Sequence, residues 1–386
     1  MNKENYGDSI SVPKEKVFFP NLDGLRFFCF LSVFFYHSFS THYANISSSS
    51  VYCFIKESLF VNGDLGVNFF FVLSGFLITY LLLKEKELTG KIHVGKFYLR
   101  RIFRIWPLYY LCILFGFIAF PILKHAFGQI PDEPANPWYY IAFLGNFDML
   151  KHFPDCSGLS VLWSLAIEEQ FYLVWPILLF IVPVKYYPFI FYSVIAGSFI
   201  FRCTLYHNPM AQEIHTFSCI SDMAMGGLAA YYAFRKGRVM TFIKELSKWS
   251  IGGIYLMAIV LYFFSQYIFA SEFMSPMKRL VVGVVFALII LEQNFSGKSL
   301  FKTGNNKTIS KLGQYTYGLY CLHMFGILIT ETVLNQIGFN NHLWQVLFIE
   351  GTLSLAITFT IAYISYTFFE SRFLRLKNKF SYILHS

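Results

Sequence analysis

The sequence predicts an all-α protein, a polytopic integral membrane helix bundle of about ten transmembrane helices with both termini in the cytoplasm. Three observations predict this class. Hydrophobic residues make up 56% of the 386 residues, charged residues make up 14%, and the mean hydropathy is +0.50, which is typical of membrane proteins. The apolar residues form runs long enough to cross a bilayer. The basic residues lie between these runs with a strong preference for one side.

Apolar runs of roughly 20 residues, the length that crosses the hydrocarbon core as a helix, define the predicted spans. They lie at 24–41, 65–83, 105–123, 166–184, 187–204, 218–234, 251–270, 276–293, 315–337 and 343–368. Two windows are less apolar, since 166–184 contains Glu168 and Glu169 and 218–234 contains Asp222. The apolar stretch 138–144 is too short to span and is interpreted as an interfacial or re-entrant piece.

The distribution of Lys and Arg predicts the orientation. With the N-terminus inside, all but six of the 31 Lys and Arg lie on the cytoplasmic side. The six exceptions are Lys56, Lys124, Lys151, Arg202, Lys278 and Arg279. Because Lys and Arg are enriched in cytoplasmic loops, this asymmetry favours N-in and C-in, which requires an even number of spans.

The predicted organisation is a cytoplasmic N-terminal segment over residues 1–21, a transmembrane domain over 22–370 and a cytoplasmic C-terminal tail over 371–386. Topology explains the net charge of +9, so membrane lipids are expected as partners and no nucleic acid is. The seven cysteines are scattered and none forms a CxxC pair. No metal site is therefore expected.

Ionisable residues inside the predicted spans are the main functional candidates, because a charge near the bilayer centre costs about 2.5 to 3.5 kcal/mol on insertion scales. Arg26 and His37 in the first span are eleven residues apart. Three helical turns separate them, so they lie on one face about 16 Å apart. His37 is the residue we most expect to do chemistry. The alternative is that Arg26 is a positive-inside anchor and His37 an interfacial histidine.

A basic segment follows the second span and contains Arg100, Arg101 and Arg104. Arg101 and Arg104 are one helical turn apart, so both guanidinium groups can face one anion, and Arg binds phosphate in bidentate fashion. The segment is predicted to bind the phosphates of a soluble cofactor. Binding of anionic lipid is the alternative.

Two adjacent carboxylates, Glu168 and Glu169, open the fourth span. Neighbouring residues of a helix point about 100° apart, so at least one of the two is predicted to line a cavity near the outer leaflet. Retention of both as interfacial charges is the alternative.

Other polar and small residues inside the spans are weaker candidates. Asp222, His323 and Glu370 are ionisable groups in or next to spans six, nine and ten. Gly66, Ser74 and Gly75 of span two are interpreted as packing positions, where small side chains let neighbouring helices approach.

Five segments carry a further signal when they are taken together and in order. They are 22–26 with His37, 65–78, 97–107, 163–172 and 315–323, which read LDGLR, LGVNFFFVLSGFLI, FYLRRIFRIWP, WSLAIEEQFY and YTYGLYCLH. Spread over nearly the whole chain, they resemble the membrane-bound acyltransferase family 3, the O-acetyltransferases that modify bacterial surface polysaccharides. Asn68 departs from the aspartate that is common in the family, and Phe27 and Phe28 from its small residues. Position 68 is therefore left out of the expected catalytic residues.

The resemblance implies that an acyl group, usually acetyl from acetyl-CoA, moves from the cytoplasmic side to a hydroxyl of an extracytoplasmic polysaccharide or lipid-linked oligosaccharide. It implies that His37 is the essential histidine and Arg26 its companion on the same helix. Arg101 and Arg104, with Arg100 beside them, are implied to bind the phosphates of CoA.

The resemblance also implies an acceptor-side role for Glu168 or Glu169 and a location in the bacterial cytoplasmic (inner) membrane. Some relatives carry a fused extracytoplasmic hydrolase-like domain, whereas this sequence ends soon after the last predicted span. Transfer is expected to be completed either by the bundle alone or by a separate extracytoplasmic partner protein.

His37 is expected to act as general base on the acceptor hydroxyl or as a nucleophile that first takes the acyl group. The alternative function is a secondary transporter or exporter of a lipid-linked sugar that uses the intramembrane charges. Such transporters often contain internal repeats, and residues 20–190 and 200–370 show no convincing repeat. A non-catalytic sensor or scaffold would not need these buried ionisable groups. The enzyme is the preferred interpretation.

Overall fold

A computed structural model describes residues 15–16, 19–380 and 383–384. The regular secondary structure of these residues is helical apart from one short parallel pairing, in which β1 (Glu15–Lys16) runs beside β2 (Ile383–Leu384). This pairing joins the two ends of the chain. The predicted all-α class is confirmed, whereas most of the predicted segment 1–21 lies outside the described residues.

Ten helices form the bundle within the described part of the chain, and each overlaps one predicted window. They are α1 (Pro20–His37), α2 (Leu65–Thr89), α3 (Val94–Leu114), α4 (Leu162–Ile181), α5 (Tyr187–Thr204), α6 (Thr216–Arg235), α7 (Lys248–Ile268), α8 (Lys278–Phe295), α9 (Thr316–Gln336) and α10 (Gly351–Ile364). They are followed by a shorter helix, α11 (Ser371–Lys377).

Shorter pieces extend or connect these helices. The π-helical turns are Phe54–Leu59, Phe115–Ala119, Gln345–Glu350 and Ser365–Glu370, and the 3-10 turns are Val184–Tyr186, Ser275–Met277, Thr303–Asn305 and Asn378–Phe380. The short α-helices are Ala44–Ser47, Ser50–Cys53, Phe120–Ala126, Pro137–Ile141, Gly145–Asp148, Ser157–Ser160, Pro209–Ile214, Arg238–Glu245 and Lys307–Gln314. The stretch 138–144 thus holds a short helix that cannot span, as predicted.

Seven helices of the described residues are long and apolar enough to cross a membrane by length and composition. They run continuously over Leu65–Thr89, Val94–Ala126, Ser157–Ile181, Val184–Thr204, Lys248–Ile268, Thr316–Gln336 and Gln345–Lys377. The helices α1, α6 and α8 lie in the other three predicted windows. They are not among the seven helices that meet the length and composition criterion. The protein is thus a multi-pass membrane protein. The count of about ten spans and the N-in, C-in orientation stay predictions.

The helices α2 and α6 cross with their backbones very close together. A Cβ atom at Gly75 would overlap the carbonyl oxygen of Met223, and one at Gly226 would overlap that of Val72. Gly66 lies close to α1, where a Cβ would come within 2.5 Å of the carbonyl oxygen of Cys29. Since only glycine allows such an approach of two helix backbones, the packing interpretation of Gly66 and Gly75 is confirmed.

Asp222, a weaker candidate from the sequence, belongs to a buried ion network that joins α2, α6 and α8. Its carboxylate accepts hydrogen bonds from Asn68 (3.1 Å) and Arg279 (2.7 Å). Arg279 also forms an ion pair with Glu213 (2.9 Å), which pairs with Lys278 (3.0 Å). Buried charges are tolerated when they are paired and hydrogen-bonded. We therefore assign these residues to holding the helices together.

Candidate functional site

A cavity of about 590 Å³ lies between α1, α2, α3, α4, α9 and the segment that follows α10. Its lining includes the cations Arg26, Arg101, Arg104, Arg375 and Lys377, and the carboxylates Asp23, Glu168 and Glu370. Serine and tyrosine hydroxyls and a wall of Leu, Ile and Phe side chains complete it. The cavity is large enough for part of a cofactor and rich in groups that attract anions.

The structure brings four of the predicted site residues together in this cavity. Arg26, Arg101, Arg104 and Glu168 all line it, although they come from three helices that are distant in the sequence. Arg26 forms an ion pair with Asp23 one turn earlier in α1. The predicted residues Arg100, Glu169 and His37 lie outside the cavity lining.

Arg101 is held in the cavity by aromatic rings. Its guanidinium carbon lies 5.4 Å from the ring centroids of both Phe97 and Tyr172. Its Nε is buried and has no hydrogen-bond partner among the described residues. Rings hold a cation without using its N–H donors. Arg101 therefore keeps donors for an anion.

Arg100 points away from the cavity. One of its guanidinium nitrogens forms an ion pair with Glu85 (2.8 Å), and another donates to the backbone oxygen of Phe380 (3.0 Å). On a helix, neighbouring residues point about 100° apart, which explains why Arg100 and Arg101 have different partners. A direct role of Arg100 in cofactor binding stays a prediction.

The two adjacent carboxylates diverge, as their spacing predicts. Glu168 accepts a hydrogen bond from the Tyr172 hydroxyl (2.9 Å), and Glu169 accepts one from the indole N–H of Trp106 (2.9 Å). Residue 168 lies about 16 Å along the continuous helix that starts at Ser157, so Glu168 reaches the arginines in the middle of the bundle. An acceptor-side role for either glutamate stays a prediction.

Ser74 corrects the packing interpretation. It lines the cavity, and its hydroxyl is hydrogen-bonded to that of Tyr172. The chain of contacts Ser74, Tyr172 and Glu168 is therefore a polar wall of the cavity. The sequence did not distinguish this serine from the glycine beside it, because both are small.

His37 lies at the C-terminal end of α1, next to His323 of α9. The centroids of the two imidazole rings are 5.4 Å apart. His323 is fully buried, and its Nδ1 lies 2.6 Å from the backbone oxygen of Tyr320. A carbonyl only accepts, so Nδ1 carries the proton, and the neutral ring has its lone pair at Nε2. Nε2 has no hydrogen-bond partner among the described residues.

Tyr320 connects this histidine pair to the cavity. Its ring lies 5.7 Å from that of His323, and its hydroxyl is hydrogen-bonded to that of Ser164 (2.7 Å). Both Tyr320 and Ser164 line the cavity. The two histidines therefore lie directly behind one wall of it.

The backbone on either side of His37 is held by Lys56. The Lys56 ammonium donates to the carbonyl oxygens of Tyr36 (2.8 Å) and Ser38 (2.6 Å). These carbonyls lie at the C-terminal end of α1, where helices leave acceptors unsatisfied and cations are favoured. Burial lowers the pKa of Lys56.

Several residues of this site have little signal in the sequence. Lys56 is one of the few cations on the predicted outer side, and that exception to the charge pattern is the only indication of it. Tyr172 and Tyr320 lie in the segments that resemble the family, but nothing distinguishes them from the many other tyrosines. Arg375 and Lys377 lie in the segment that the sequence assigns to the cytoplasmic C-terminal tail.

The chemistry of the donor groups fits a phosphate-bearing cofactor. Guanidinium and ammonium groups bind phosphate oxygens by charge-assisted hydrogen bonds, and several converge on one cavity. Among the described residues, no group of three or more His, Cys, Asp and Glu side chains is arranged to hold a metal ion.

Comparison with known proteins identifies related sequences along nearly the whole chain. A family model described as an acyltransferase domain matches residues 19–367. The peptidoglycan O-acetyltransferase OatA of Listeria monocytogenes is 29% identical over 374 residues, which cover 91% of this chain and 55% of that protein. The "Putative peptidoglycan O-acetyltransferase YrhL" of Bacillus subtilis is 27% identical over 377 residues, which cover 92% of this chain and 54% of that protein.

The chain thus spans little more than half the length of these relatives. No solved structure matches it.

Proposed function

The chain belongs to the membrane-bound acyltransferase family 3, and we propose that it is an O-acetyltransferase of the bacterial cytoplasmic membrane. In this proposal it moves an acetyl group from cytoplasmic acetyl-CoA to a hydroxyl of a polysaccharide or lipid-linked oligosaccharide on the other side. The observation that carries the proposal is the cationic cavity, whose wall at Tyr320 contacts the His37–His323 pair. The names of the relatives support a cell-wall polysaccharide as acceptor.

The donor binds in the cavity in this proposal. Arg101 and Arg104 bind the pyrophosphate of CoA, since both line the cavity and Arg101 has a donor without a partner. A pyrophosphate presents several charged oxygens to two guanidinium groups one helical turn apart. Arg26, already paired with Asp23, provides positive charge deeper along α1.

His37 performs the acyl transfer, by one of two routes. As general base it takes the proton of the acceptor hydroxyl while that oxygen bonds to the acyl carbon and the C–S bond breaks, releasing CoA thiolate. As nucleophile, its imidazole nitrogen first displaces the thiolate to form an acyl-imidazolium. The acceptor oxygen then displaces the imidazole, which takes the hydroxyl proton as it leaves. In both routes the ring acquires a proton or a positive charge. In this proposal His323, whose ring centroid lies 5.4 Å from that of His37 and whose Nε2 has no hydrogen-bond partner among the described residues, receives a proton from it.

The test is acetyl transfer and CoA binding by purified protein in lipid nanodiscs. His37→Ala is expected to abolish transfer of acetyl from acetyl-CoA to a cell-wall glycan while leaving CoA binding intact. His42→Ala removes an exposed histidine close to His37 in the sequence and serves as the matched control. If His37→Ala protein acetylates its glycan at the wild-type rate, the proposed role of His37 is wrong.

The donor site has a separate test. Arg101→Gln plus Arg104→Gln is expected to weaken CoA binding by at least tenfold, because two charge-assisted contacts are lost. Arg235→Gln plus Arg238→Gln removes two exposed charges away from the cavity and should leave binding unchanged. A wild-type protein that binds no CoA would contradict the proposed function. Mass spectrometry of glycans from wild-type and deletion cells would identify the acyl group and the acceptor.

A further inference from the structure

The helix α11 is held against the cofactor end of the bundle by specific contacts. It packs along α3. Beyond it, the Phe380 backbone oxygen accepts a hydrogen bond from Arg100 (3.0 Å), and the Phe380 ring stacks on Phe103 with centroids 5.9 Å apart. Arg100 is fixed in turn by its ion pair with Glu85 (2.8 Å). The segment is therefore a built part of the bundle rather than a free tail.

These contacts bring two more cations to the cavity. Arg375 and Lys377 line it together with Arg101 and Arg104. Because Lys377, Arg101 and Arg104 line the same cavity, their positive charges repel one another. Like charges at short range in a partly desolvated site raise the free energy of the protein. A bound polyanion would offset this repulsion.

The carboxylates of the cavity already have other partners. Asp23 is paired with Arg26. Glu168 accepts a hydrogen bond from Tyr172 (2.9 Å), and Glu370 accepts one from Ser365 (2.9 Å). Each of these three carboxylates therefore has a polar partner close to it in the sequence.

The geometry of α1 determines which end of an acyl-CoA would lie at α11. Arg26 lies near the N-terminal end of α1 and lines the cavity, whereas His37 ends the helix about 16 Å further along. The thioester must approach His37 for transfer. The adenosine 3′-phosphate is at the opposite end of the molecule, so it lies at the cavity end formed by α11. A phosphomonoester carries close to two negative charges near pH 7.

We propose that Arg375 and Lys377 bind the 3′-phosphate of the acyl-CoA donor, so that α11 gives the protein its preference for CoA over 3′-dephospho-CoA. This inference rests on the proposed function, in which the donor is an acyl-CoA. Arg101 and Arg104 bind the pyrophosphate, which both molecules share. Loss of the α11 cations therefore affects only the ligand that carries the 3′-phosphate.

The test compares binding of CoA and 3′-dephospho-CoA to the full-length protein in nanodiscs. Wild-type protein is expected to bind CoA at least tenfold more tightly than 3′-dephospho-CoA. A tenfold ratio of dissociation constants is about what one charge-assisted hydrogen bond contributes. Arg375→Gln plus Lys377→Gln should weaken CoA binding by tenfold or more, leave 3′-dephospho-CoA binding unchanged and so abolish the preference. Lys377→Arg should retain the preference for CoA, because arginine keeps the positive charge.

Arg372→Gln is the matched control, since Arg372 is an exposed cation of the same helix that does not line the cavity. It should retain the wild-type preference. The inference is overturned if wild-type protein binds both ligands equally, or if the double variant keeps the wild-type ratio. Wild-type protein that binds neither ligand would instead contradict the proposed function. Equal melting temperatures of the variants would exclude misfolding as the cause.

Discussion

His323 is the residue whose environment most directly concerns the chemistry of His37. Its Nδ1–H bond to Tyr320 fixes the ring and leaves Nε2 as a buried base. His323→Asn can keep a donor near the position of Nδ1 but has no atom at Nε2. We expect it to lower kcat by tenfold to a thousandfold with little change in the KM for acetyl-CoA, the range that loss of a proton-transfer partner produces.

Steady-state acetyl transfer measures this effect. His323→Gln, which places its amide near Nε2 but loses the Nδ1 donor, tests whether position or basicity matters. Wild-type turnover by the Asn variant would show that Nε2 has no part in the reaction.

Lys56 is predicted to act on catalysis through the position of His37. Its two hydrogen bonds hold the carbonyls on either side of that residue. Lys56→Met keeps the side-chain length but removes both donors. We expect kcat to fall about tenfold at unchanged KM for acetyl-CoA, because small displacements of a reacting group cost large factors in rate.

Lys56→Arg should restore much of the turnover, whereas Lys151→Met, at an exposed lysine of the same predicted side, should have no effect. A Lys56→Met variant with wild-type kcat would contradict the positioning role. A Lys56→Met variant whose KM for acetyl-CoA changes by as large a factor as its kcat would also contradict the positioning role.

The sequence indicated part of this site for a physical reason. Charges are costly inside a bilayer, so Arg26 and His37 stood out from their apolar surroundings, and helical spacing placed Arg101 and Arg104 on one side. The partners of His37 could not be predicted in this way. His323 lies in another helix and Lys56 in a connecting segment, and residue spacing describes contacts only within one helix.

At the scale of elements, the crossing of α2 and α6 depends on glycine. A Cβ at Gly226 would overlap the Val72 carbonyl oxygen, whereas at Gly253 of α7 nothing lies within 4 Å. Gly226→Ala is therefore expected to destabilise the fold by roughly 1–3 kcal/mol, the usual cost of overpacking. Gly253→Ala should be neutral or stabilising by up to about 1 kcal/mol, because alanine favours a helix over glycine.

Denaturation in detergent micelles, followed by circular dichroism or thiol accessibility, measures both variants. If the two alanine variants are equally stable, the close crossing is not a determinant of stability. Gly75→Ala should reproduce the result of Gly226→Ala, since each glycine faces the partner helix at the same crossing.

Hydropathy predicted where the helices lie, because a helix that crosses the bilayer needs one continuous run of apolar residues. It predicted their ends less well. The helix α3 begins at Val94, eleven residues before its window, because a helix can continue through the charged residues Lys96 to Arg104 into water. The role of α11 was also missed, since hydropathy has no information about which segment folds back onto the bundle.

At the scale of the whole molecule, the site exists only in the assembled bundle. Its cations come from α1, α3 and α11, its carboxylates from α1, α4 and the turn before α11, and its histidines from α1 and α9. A fragment that lacks either end of the chain would therefore lack part of the site. Which helices become neighbours was not predictable from the sequence alone, because all of them share similar apolar composition.

The proposed direction of transfer requires one orientation of the whole molecule in the membrane. The arginines of the cavity must face the cytoplasm, where acyl-CoA is found, and the Lys and Arg distribution predicts that orientation. In a variant without native cysteines, a cysteine at Gln129 should react with a membrane-impermeant maleimide in intact cells. A cysteine at Arg238 should react only after permeabilisation.

Both positions are exposed and lie in segments between long helices, so each is accessible from its own side. Labelling should differ by at least tenfold between the two conditions for position 238 and stay constant for position 129. The opposite pattern would place Arg101, Arg104 and α11 outside the cytoplasm. Acyl-CoA could then not reach the cavity, and both the donor site and the proposed route through the bundle would be wrong.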